Sequence, residues 1–234
     1  MNILTTMNGM NTHTGRWIVG DLRTASAAAP HEVIKVGGSL LSVPHWPDLV
    51  AELLRARSRH RKVIVVAGGG TIVEGLRTID AAAPQRADSI HFLAIDLLGT
   101  TARLVARALG LPLVVEPGDD PVAVLDAPLW LAATNLHGAE RQARLPVGWH
   151  VTSDSIAALV AADTGGDLLL AKRTAPSLAG EENHLTALAQ DGWVDDHFPT
   201  AAAKLARIAW AAPASVPTPG VGGALGQGGD AHGG

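Results

Sequence analysis

The sequence predicts an α/β fold, a three-layer αβα sandwich with a central, mostly parallel sheet. Short apolar runs such as Glu32–Val36 and Lys62–Ala67 alternate along the chain with longer segments in which apolar residues recur at helical spacing. Glycines follow both runs directly, as in strand-to-helix turns. Such alternation is typical of parallel sheets with helices on both faces, which bind ligands beyond the carboxyl ends of their strands.

The same patterns assign the elements in chain order. The predicted strands are Glu32–Val36, Lys62–Ala67, Leu113–Val115, Asp167–Ala171 and, as a further candidate, Leu129–Ala133. The predicted helices are His45–Ser58, a helix carrying Ile72, Val73, Leu76 and Ile79, then Ala87–Gly110, Ser153–Ala162 and Thr200–Ala211. We expect residues 31–212 to form one domain, residues 1–30 to be a flexible N-terminal extension and residues 213–234 to be a disordered Gly- and Pro-rich tail.

Composition narrows the classes of protein that fit. The chain has 234 residues, a formal net charge of −4 and no cysteine, which excludes disulfides, thiolate metal sites and a cysteine nucleophile. The basic run Arg55–Lys62 is expected to be a solvated helix end and not a nucleic-acid patch. No signal-peptide pattern and no membrane-length apolar stretch is present. We therefore expect a cytoplasmic protein that binds neither nucleic acid nor membrane.

Two glycine loops follow successive predicted strands. In the first, Lys35 precedes Gly37, Gly38 and Ser39, which together offer a positive charge, close backbone approach and a hydroxyl to a phosphate. An ordinary strand-to-helix turn is the alternative for this loop taken alone. The second loop, Gly68–Gly70, could be a tight turn, but three glycines cost conformational entropy and favour close approach to a ligand.

Polar residues stand at two further element ends. Thr152, Ser153 and Asp154 suit the start of a helix as caps, and Asp154 could also orient lysines or reach a hydrated metal ion. Lys172 and Arg173 follow a buried strand, where they could bind phosphate or simply mark the strand's exit into water. His91 lies on a predicted helix, where a structural role is the alternative to a functional one.

Several familiar motifs are absent from the sequence. The lysine of the first loop precedes its glycines, so the loop is neither a Walker A motif nor a dinucleotide-binding Gly-x-Gly-x-x-Gly. There is no Gly-x-Ser-x-Gly elbow and no His-x-x-x-His pair. We therefore expect no protein-bound metal centre.

Lys35–Ser39, Gly68–Gly70 and Asp154 with Ala157–Ala158 occur in this order between about Glu32 and Leu170. Together they resemble the amino acid kinase superfamily, which includes acetylglutamate, aspartate and uridylate kinases. The resemblance implies the amino acid kinase fold, a kinase that uses ATP and Mg²⁺, and a homo-oligomer.

Within that superfamily, the string Trp149–Ala158, His91 with Ala94, and Gly192–Asp195 with Phe198 resemble the small kinases of methanofuran biosynthesis. Those kinases convert [5-(aminomethyl)furan-3-yl]methyl phosphate to its diphosphate, which serves one-carbon metabolism. The resemblance therefore implies a small-molecule acceptor that already carries a phosphate.

The resemblance also implies a role for each site residue. Lys35 and the N–H groups of Gly37 and Gly38 would hold the transferred group, Lys172 would neutralise charge on the nucleotide side, and Asp154 would hold the lysines. The catalytic set is Lys35, Asp154 and Lys172; the nucleotide and phosphate set is Gly37, Gly38, Ser39, Lys172 and Arg173. The acceptor set is Gly68, Gly69, Gly70, His91, Thr152 and Ser153.

Two alternatives remain open at the level of sequence. Asp96–Thr100 faintly resembles the uridylate branch, so a uridylate-like or acylamino-acid kinase is the second hypothesis. The third is a non-catalytic protein that binds a nucleotide or an oxyanion on a kinase scaffold.

Overall fold

A computed structural model describes residues 12–25, 27–132, 136–177 and 184–215. The strands in chain order are β1 (Thr12–Thr14), β2 (Trp17–Arg23), β3 (His31–Val36), β4 (Lys62–Ala67), β5 (Leu113–Val114), β6 (Val122–Leu125), β7 (Asp167–Ala171) and β8 (Ile208–Pro213). The helices are α1 (Trp46–Arg57), α2 (Gly70–Ala82), α3 (Ala87–Leu109), α4 (Ala127–Leu131), α5 (Leu136–Ala143), α6 (Ser153–Thr164), α7 (His184–Gln190) and α8 (Phe198–Ala201), with a short 3₁₀ helix at Gly38–Ser42.

All these strands form one eight-stranded sheet in the order β1-β2-β8-β7-β3-β4-β6-β5. The strands from β8 to β5 run parallel, whereas β2 joins β8 and β1 in antiparallel fashion. The predicted α/β sandwich with a mostly parallel sheet is therefore confirmed. The carboxyl ends of the central strands β3, β4 and β7 lie side by side at one edge.

A hydrophobic core lies on each face of the sheet, because successive strand residues point to opposite sides. Val33 packs in the cluster that contains α6 residues such as Ile156, whereas Ile34 packs in the cluster that contains α1 residues such as Leu53. All five residues of β7 are buried, as expected of a strand covered on both faces. This rigid centre fixes where the strand ends deliver their polar side chains.

The predicted flexible extension is wrong for residues 12–23, which form β1 and β2 at the sheet edge. Trp17 is fully buried and its indole Nε1 donates a hydrogen bond to the Leu49 carbonyl at 3.0 Å. Pairing with β8 supplies the backbone hydrogen bonds that a loop would leave to water. The predicted disordered tail is wrong at its start, because Pro213 ends β8 and the Ala214 N–H donates to the Arg16 carbonyl at 2.8 Å. The predictions for residues 1–11 and 216–234 lie outside the described residues.

Two other predicted elements are also wrong. The candidate strand Leu129–Ala133 is wrong for residues 129–131, which belong to α4, with Asp126 capping the Leu129 N–H and Pro128 in the first turn. The predicted helix Thr200–Ala211 is replaced by the short α8 and the strand β8, in which every residue is buried. Among the described residues, no helix combines the length and apolar character needed to cross a bilayer.

The basic run also differs from the prediction of a solvated helix end. Arg57 forms a two-pronged ion pair with Glu32, whose side chain is 1% exposed. Arg61 lies 2.7 Å from Asp167 and 3.5 Å from Glu32. These arginines neutralise acidic residues at the start of β3 and β7, so they stabilise the central strands and are not free for an anionic partner.

Candidate active site

A cleft of about 480 Å³ opens at the carboxyl ends of β3, β4 and β7. Its walls are the two glycine loops, α2, α3, the start of α6 and the residues that follow β7. The predicted site residues that line it are Lys35, Gly37, Gly38, Ser39, Gly69, Gly70, His91, Thr152, Ser153, Lys172 and Arg173. The structure thus brings predicted site residues from five separate stretches of the chain to one place.

The two glycine loops touch each other backbone to backbone. A Cβ atom on Gly38 would lie 2.0 Å from the Gly70 nitrogen, and a Cβ on Gly68 would lie 2.5 Å from the Gly38 nitrogen. Gly70 also has a φ of +55°, which disfavours other residues. Close contact between the loops, and not only contact with a ligand, therefore requires glycine here.

Backbone hydrogen bonds tie both loops to strand ends. The Gly37 N–H donates to the Ala171 carbonyl at 2.7 Å, and the Gly68 N–H donates to the Val36 carbonyl at 2.8 Å. The predicted use of the Gly37 N–H as a phosphate donor is therefore wrong, because this group already links β3 to β7. Gly37 instead sets the position of the loop whose next residue, Gly38, opens a helix.

Helix N-termini converge on the cleft from three sides. The 3₁₀ helix begins at Gly38, α2 begins at Gly70 and α6 begins at Ser153, and all three of these residues line the cleft. The helix dipole gives each such end a partial positive charge, although at α6 the N–H groups of Asp154 and Ser155 already donate to side chains. The arrangement suits a polyanionic ligand.

Asp154 does not itself line this cleft, but its buried carboxylate lies between two lysines that do. Lys35 Nζ lies 2.8 Å from Oδ1 of Asp154, and Lys172 Nζ lies 2.7 Å from Oδ2. The side chains of Lys35 and Asp154 are each 6% exposed. Because the two ammonium groups approach opposite oxygens of one carboxylate, Asp154 spaces two positive charges that face the same cleft.

Burial and charge act in opposite directions on this trio. Burial raises the pKa of Asp154, but the charges of Lys35 and Lys172 outweigh it and hold the pKa below its usual value. Burial lowers the pKa of Lys172 to about 8, with a further lowering by Lys35 and an opposing effect of Asp154. Lys172 is therefore charged at neutral pH and titrates in the weakly alkaline range.

Sequence reasoning missed Asp195, which holds the start of α6. Its Oδ2 accepts hydrogen bonds from the Thr152 N–H at 2.9 Å, the Thr152 hydroxyl at 2.8 Å and the Ser155 N–H at 3.0 Å. Its Oδ1 accepts from the Ser155 hydroxyl at 2.5 Å. Thr152 also serves as the predicted N-cap by accepting from the Asp154 N–H at 3.4 Å.

Trp193 is a second contact that sequence reasoning did not assign. Its carbonyl accepts a hydrogen bond from Lys172 Nζ, and its ring centroid lies 4.8 Å from the same nitrogen. Its indole Nε1 donates to the Thr174 carbonyl at 3.1 Å. The signal in the sequence that pointed to this segment was the resemblance of Gly192–Asp195 to the kinases of methanofuran biosynthesis.

His91 lines the cleft, and its Nδ1 lies 3.3 Å from both the carbonyl oxygen and the backbone nitrogen of Gly148. Burial lowers its pKa, although the Gly148 carbonyl opposes this effect. Its role in acceptor binding stays a prediction, but the contacts show that it also holds the loop that leads to α6.

Arg77 and Trp149 form an unpredicted part of the cleft wall. The Arg77 guanidinium carbon lies 4.3 Å from the centroid of the Trp149 ring, and Trp149 Nε1 donates to Asp80 at 2.8 Å. These contacts join α2 to the loop before α6. Arg77 also adds a second arginine to a lining that already holds the exposed Arg173 and two lysines.

Within the described part of the chain, no group of three or more His, Cys, Asp or Glu side chains could hold a metal ion. Asp154 is a poor metal ligand here because each of its oxygens faces a lysine ammonium group. A divalent cation would therefore depend on ligand phosphates and not on a protein-built site.

Comparison with known proteins supports the resemblance. The Amino acid kinase family matches residues 32–115, a span that holds β3, β4, both glycine loops and α1 to α3. A solved structure of uridylate kinase from Archaeoglobus fulgidus is similar, with a TM-score of 0.53 and 16% identity, over 77% of this chain and 90% of that chain. The fold is that of the amino acid kinases. No curated protein matches the sequence.

The family match and the shared fold indicate a kinase, that is, a nucleotide-binding transferase. The family match ends before Asp154 and Lys172, so the positions of those two residues come from the fold and the geometry of the cleft. The narrower likeness to the kinases of methanofuran biosynthesis stays a prediction.

Proposed function

We propose that the chain is an ATP-dependent kinase that adds a phosphoryl group to a small acceptor that already carries a phosphate. The observation that carries this proposal is the Lys35–Asp154–Lys172 trio at the floor of a cleft bounded by two glycine loops. Phosphoryl transfer needs charge neutralisation and alignment more than covalent chemistry. Two buried ammonium groups held apart by one carboxylate supply both.

The reaction requires no catalytic base. An oxygen of the acceptor phosphate forms a bond to the γ-phosphorus of ATP while the bond from that phosphorus to the β-phosphate oxygen breaks, so ADP leaves with the electron pair. A phosphate oxygen is already deprotonated, which removes the need for a histidine to accept a proton. His91 with its lowered pKa, held at Gly148, agrees with a binding role.

Each lysine serves one side of the transfer. Lys35 and the start of the 3₁₀ helix at Gly38, with the Ser39 hydroxyl, hold the transferred group. Lys172, with Arg173 beside it, neutralises charge that develops towards ADP. Mg²⁺, bound by the phosphates themselves, would supply additional charge neutralisation between them.

The acceptor occupies the other half of the cleft. Gly68, Gly69 and Gly70 lead into the N-terminus of α2, while His91, Thr152 and Ser153 line the opposite wall. Arg77 adds a positive charge on this side. Among the described residues, Glu74 is the one acidic residue in the cleft lining, and its carboxylate lies 3.6 Å from Arg77. The excess of cationic side chains over this paired carboxylate suits two phosphate-bearing ligands at once.

The acceptor we propose is [5-(aminomethyl)furan-3-yl]methyl phosphate, which would become its diphosphate in the synthesis of a methanofuran-type carrier. Support comes from the Trp149–Ala158 string and from Gly192–Asp195, the two stretches that resemble kinases of that pathway. Both stretches contribute contacts at the cleft. Trp149 stacks on Arg77. Trp193 binds Lys172, and Asp195 binds the start of α6.

A substrate panel tests the proposal. The purified protein is supplied with ATP and Mg²⁺ and, in separate reactions, with the furan phosphate, UMP, acetylglutamate or aspartate, and ADP release is followed. We expect turnover with the furan phosphate and none with the others. Lys35→Ala, purified in parallel, controls for a contaminating kinase. Turnover with UMP or an amino acid alone would reject the proposed acceptor while keeping the reaction.

A uridylate-like or acylamino-acid kinase is the second candidate. The likeness to uridylate kinase from Archaeoglobus fulgidus favours a nucleoside monophosphate acceptor within it, since such an acceptor also carries a phosphate. Nucleotide binding without turnover on any acceptor would instead favour a non-catalytic nucleotide or oxyanion binder.

We also propose a cytoplasmic homo-oligomer built through α3. Phe92, Leu93 and Leu104 on this helix are each about half exposed, at 50%, 51% and 48%. Light scattering of the purified protein tests this assembly, with Leu93→Lys expected to shift the mass to that of a monomer. A monomeric mass for the parent protein would reject the assembly and leave the proposed reaction intact.

A further inference from the structure

We propose that the segment Trp193–Asp195 is a positioning element that sets the geometry and charge of Lys172, with Asp195 as its principal positioning residue. The inference rests on the proposed function, because it assigns this segment a role in phosphoryl transfer. It concerns residues that follow the predicted site in the chain.

The first support is the number of contacts that converge on one carboxylate. Asp195 receives hydrogen bonds from the N–H and hydroxyl groups of both Thr152 and Ser155. Asp154 lies between these two residues. A carboxylate that fixes the residues on both sides of Asp154 also fixes the direction in which Asp154 meets the lysines.

The second support is the direct contact between this segment and Lys172. The Trp193 carbonyl accepts a hydrogen bond from Nζ, which directs the ammonium group together with Asp154. The Trp193 N–H donates to the Leu188 carbonyl at 2.9 Å, and Gly192 turns the chain at the end of α7 with a φ of +70°. Val194 is 3% exposed, so the turn is anchored in the core.

The third support is the set of charged groups around Lys172. Lys172 faces Lys35 from β3, Asp154 from α6 and Asp195 from the segment after α7, while Arg77, His150 and Asp196 line the open pocket beside it. Asp195 opposes the lowering of the Lys172 pKa caused by burial and by Lys35. Removal of its charge should therefore make Lys172 lose its proton at a lower pH.

The test is nuclear magnetic resonance of protein labelled with ¹³C at the lysine ε carbons. The chain has only four lysines, Lys35, Lys62, Lys172 and Lys204, so each signal can be assigned with single lysine-to-arginine variants. We expect Lys172 to titrate at about pH 8 in the parent protein and at a lower pH in Asp195→Asn. Asp196→Asn, which removes an exposed neighbouring carboxylate, serves as the matched control.

Kinetics provide a second readout. We expect Asp195→Ala to lower kcat by about 10- to 100-fold, by analogy with residues that orient the ligands of a metal ion, with little change in the KM for ATP. A purely structural role predicts a lower melting temperature but a parent-like Lys172 titration in the folded Asp195→Asn protein, and this result would overturn the proposal. An equal shift in Asp196→Asn would overturn it too.

The titration separates this inference from the proposed function. If the parent protein transfers no phosphoryl group to any acceptor, the proposed function fails. The lysine titration in Asp195→Asn still decides whether the segment sets the charge of Lys172.

Discussion

Lys172 and Asp154 form a largely buried ion pair, with 2.7 Å between the ammonium nitrogen and Oδ2, at the point where β7 ends and α6 begins. Lys35 meets the other oxygen of the same carboxylate at 2.8 Å. Because one acidic side chain balances two basic ones, the cleft floor keeps a net positive charge. That charge is what an incoming γ-phosphate requires.

Replacement of Lys35 by alanine should lower kcat on the order of hundreds-fold, as with other groups that stabilise developing charge. The effect should fall on kcat because this ammonium group faces the transferred group. Steady-state kinetics with the preferred acceptor measure it, and Lys204→Ala, which removes an exposed lysine, is the control. A kcat within a few-fold of the parent would show that Lys35 is not at the reacting centre.

The pH dependence of kcat/KM should report the titration of Lys172 in the free protein. Since this side chain acts as a cation and its pKa lies at about 8, kcat/KM should fall as pH rises through that value. Lys172→Arg keeps the charge, so its lower kcat/KM should show no decline near pH 8. A decline that persists unchanged in Lys172→Arg would assign the titration to another group.

The free energy of unfolding should also depend on pH through Lys172, but it should rise with pH where the activity falls. The pKa of Lys172 in the folded protein lies below its usual 10.5, so between about pH 8 and that value the unfolded chain binds more protons. The contribution of Lys172 to the free energy of unfolding therefore rises with pH across this window. Urea titrations of the parent and of Lys172→Met measure it, and the rise should be smaller in the variant.

Gly38→Ala should damage both stability and activity. Its Cβ would lie 2.0 Å from the Gly70 nitrogen, so the loops must separate. We expect a loss of about 1–3 kcal/mol in the free energy of unfolding, as for other overpacked sites. We also expect kcat to fall on the order of a hundredfold, because a shift of about 1 Å misaligns the transferred group.

Gly75→Ala is the matched control for Gly38→Ala. Gly75 lies inside α2 and a Cβ there would meet no atom within 4 Å. Chemical denaturation should show a gain of about 0.5–1 kcal/mol, since alanine is the better helix former. If Gly38→Ala were as stable and active as Gly75→Ala, the close contact between the loops would be refuted.

Arg57→Ala should destabilise the fold without touching the cleft. It leaves the buried Glu32 with only the more distant Arg61, at 3.5 Å. We expect the free energy of unfolding to fall by about 3 kcal/mol, the lower end of the range for a broken buried ion pair. Arg59→Ala, at an exposed position of the same run, should change it by less than about 0.5 kcal/mol.

The central strands could be predicted because their chemistry is local. Lys62–Ala67 is a largely apolar run followed directly by glycines, a pattern typical of a strand buried on both faces. The strands β2 and β8 could not be predicted, since each is stabilised by pairing with the other across most of the chain. Helical spacing in Thr200–Ala211 misled the assignment because burial against a partner strand overrides periodicity.

The site residues also divide into those set by local sequence, which could be predicted, and those set by distant contacts, which could not. Lys35, Asp154 and Lys172 stand at element ends beside glycines or caps, so their positions were visible in the sequence. Asp195 and Trp193 act through contacts about 20 to 40 residues away along the chain, and no local pattern reveals such contacts. The role of the Gly37 N–H was misassigned because its bond to Ala171 joins two strands that are distant in sequence.

Phosphorus NMR of one reaction tests the central claim most directly. The protein is mixed with ATP, Mg²⁺ and [5-(aminomethyl)furan-3-yl]methyl phosphate, with Lys35→Ala in a parallel tube. We predict that the γ-phosphate signal of ATP and the acceptor's monophosphate signal disappear together, while ADP and a new diphosphate appear, and that Lys35→Ala shows almost no change. Bound ATP whose signals persist, with the acceptor's monophosphate unchanged, would contradict the account.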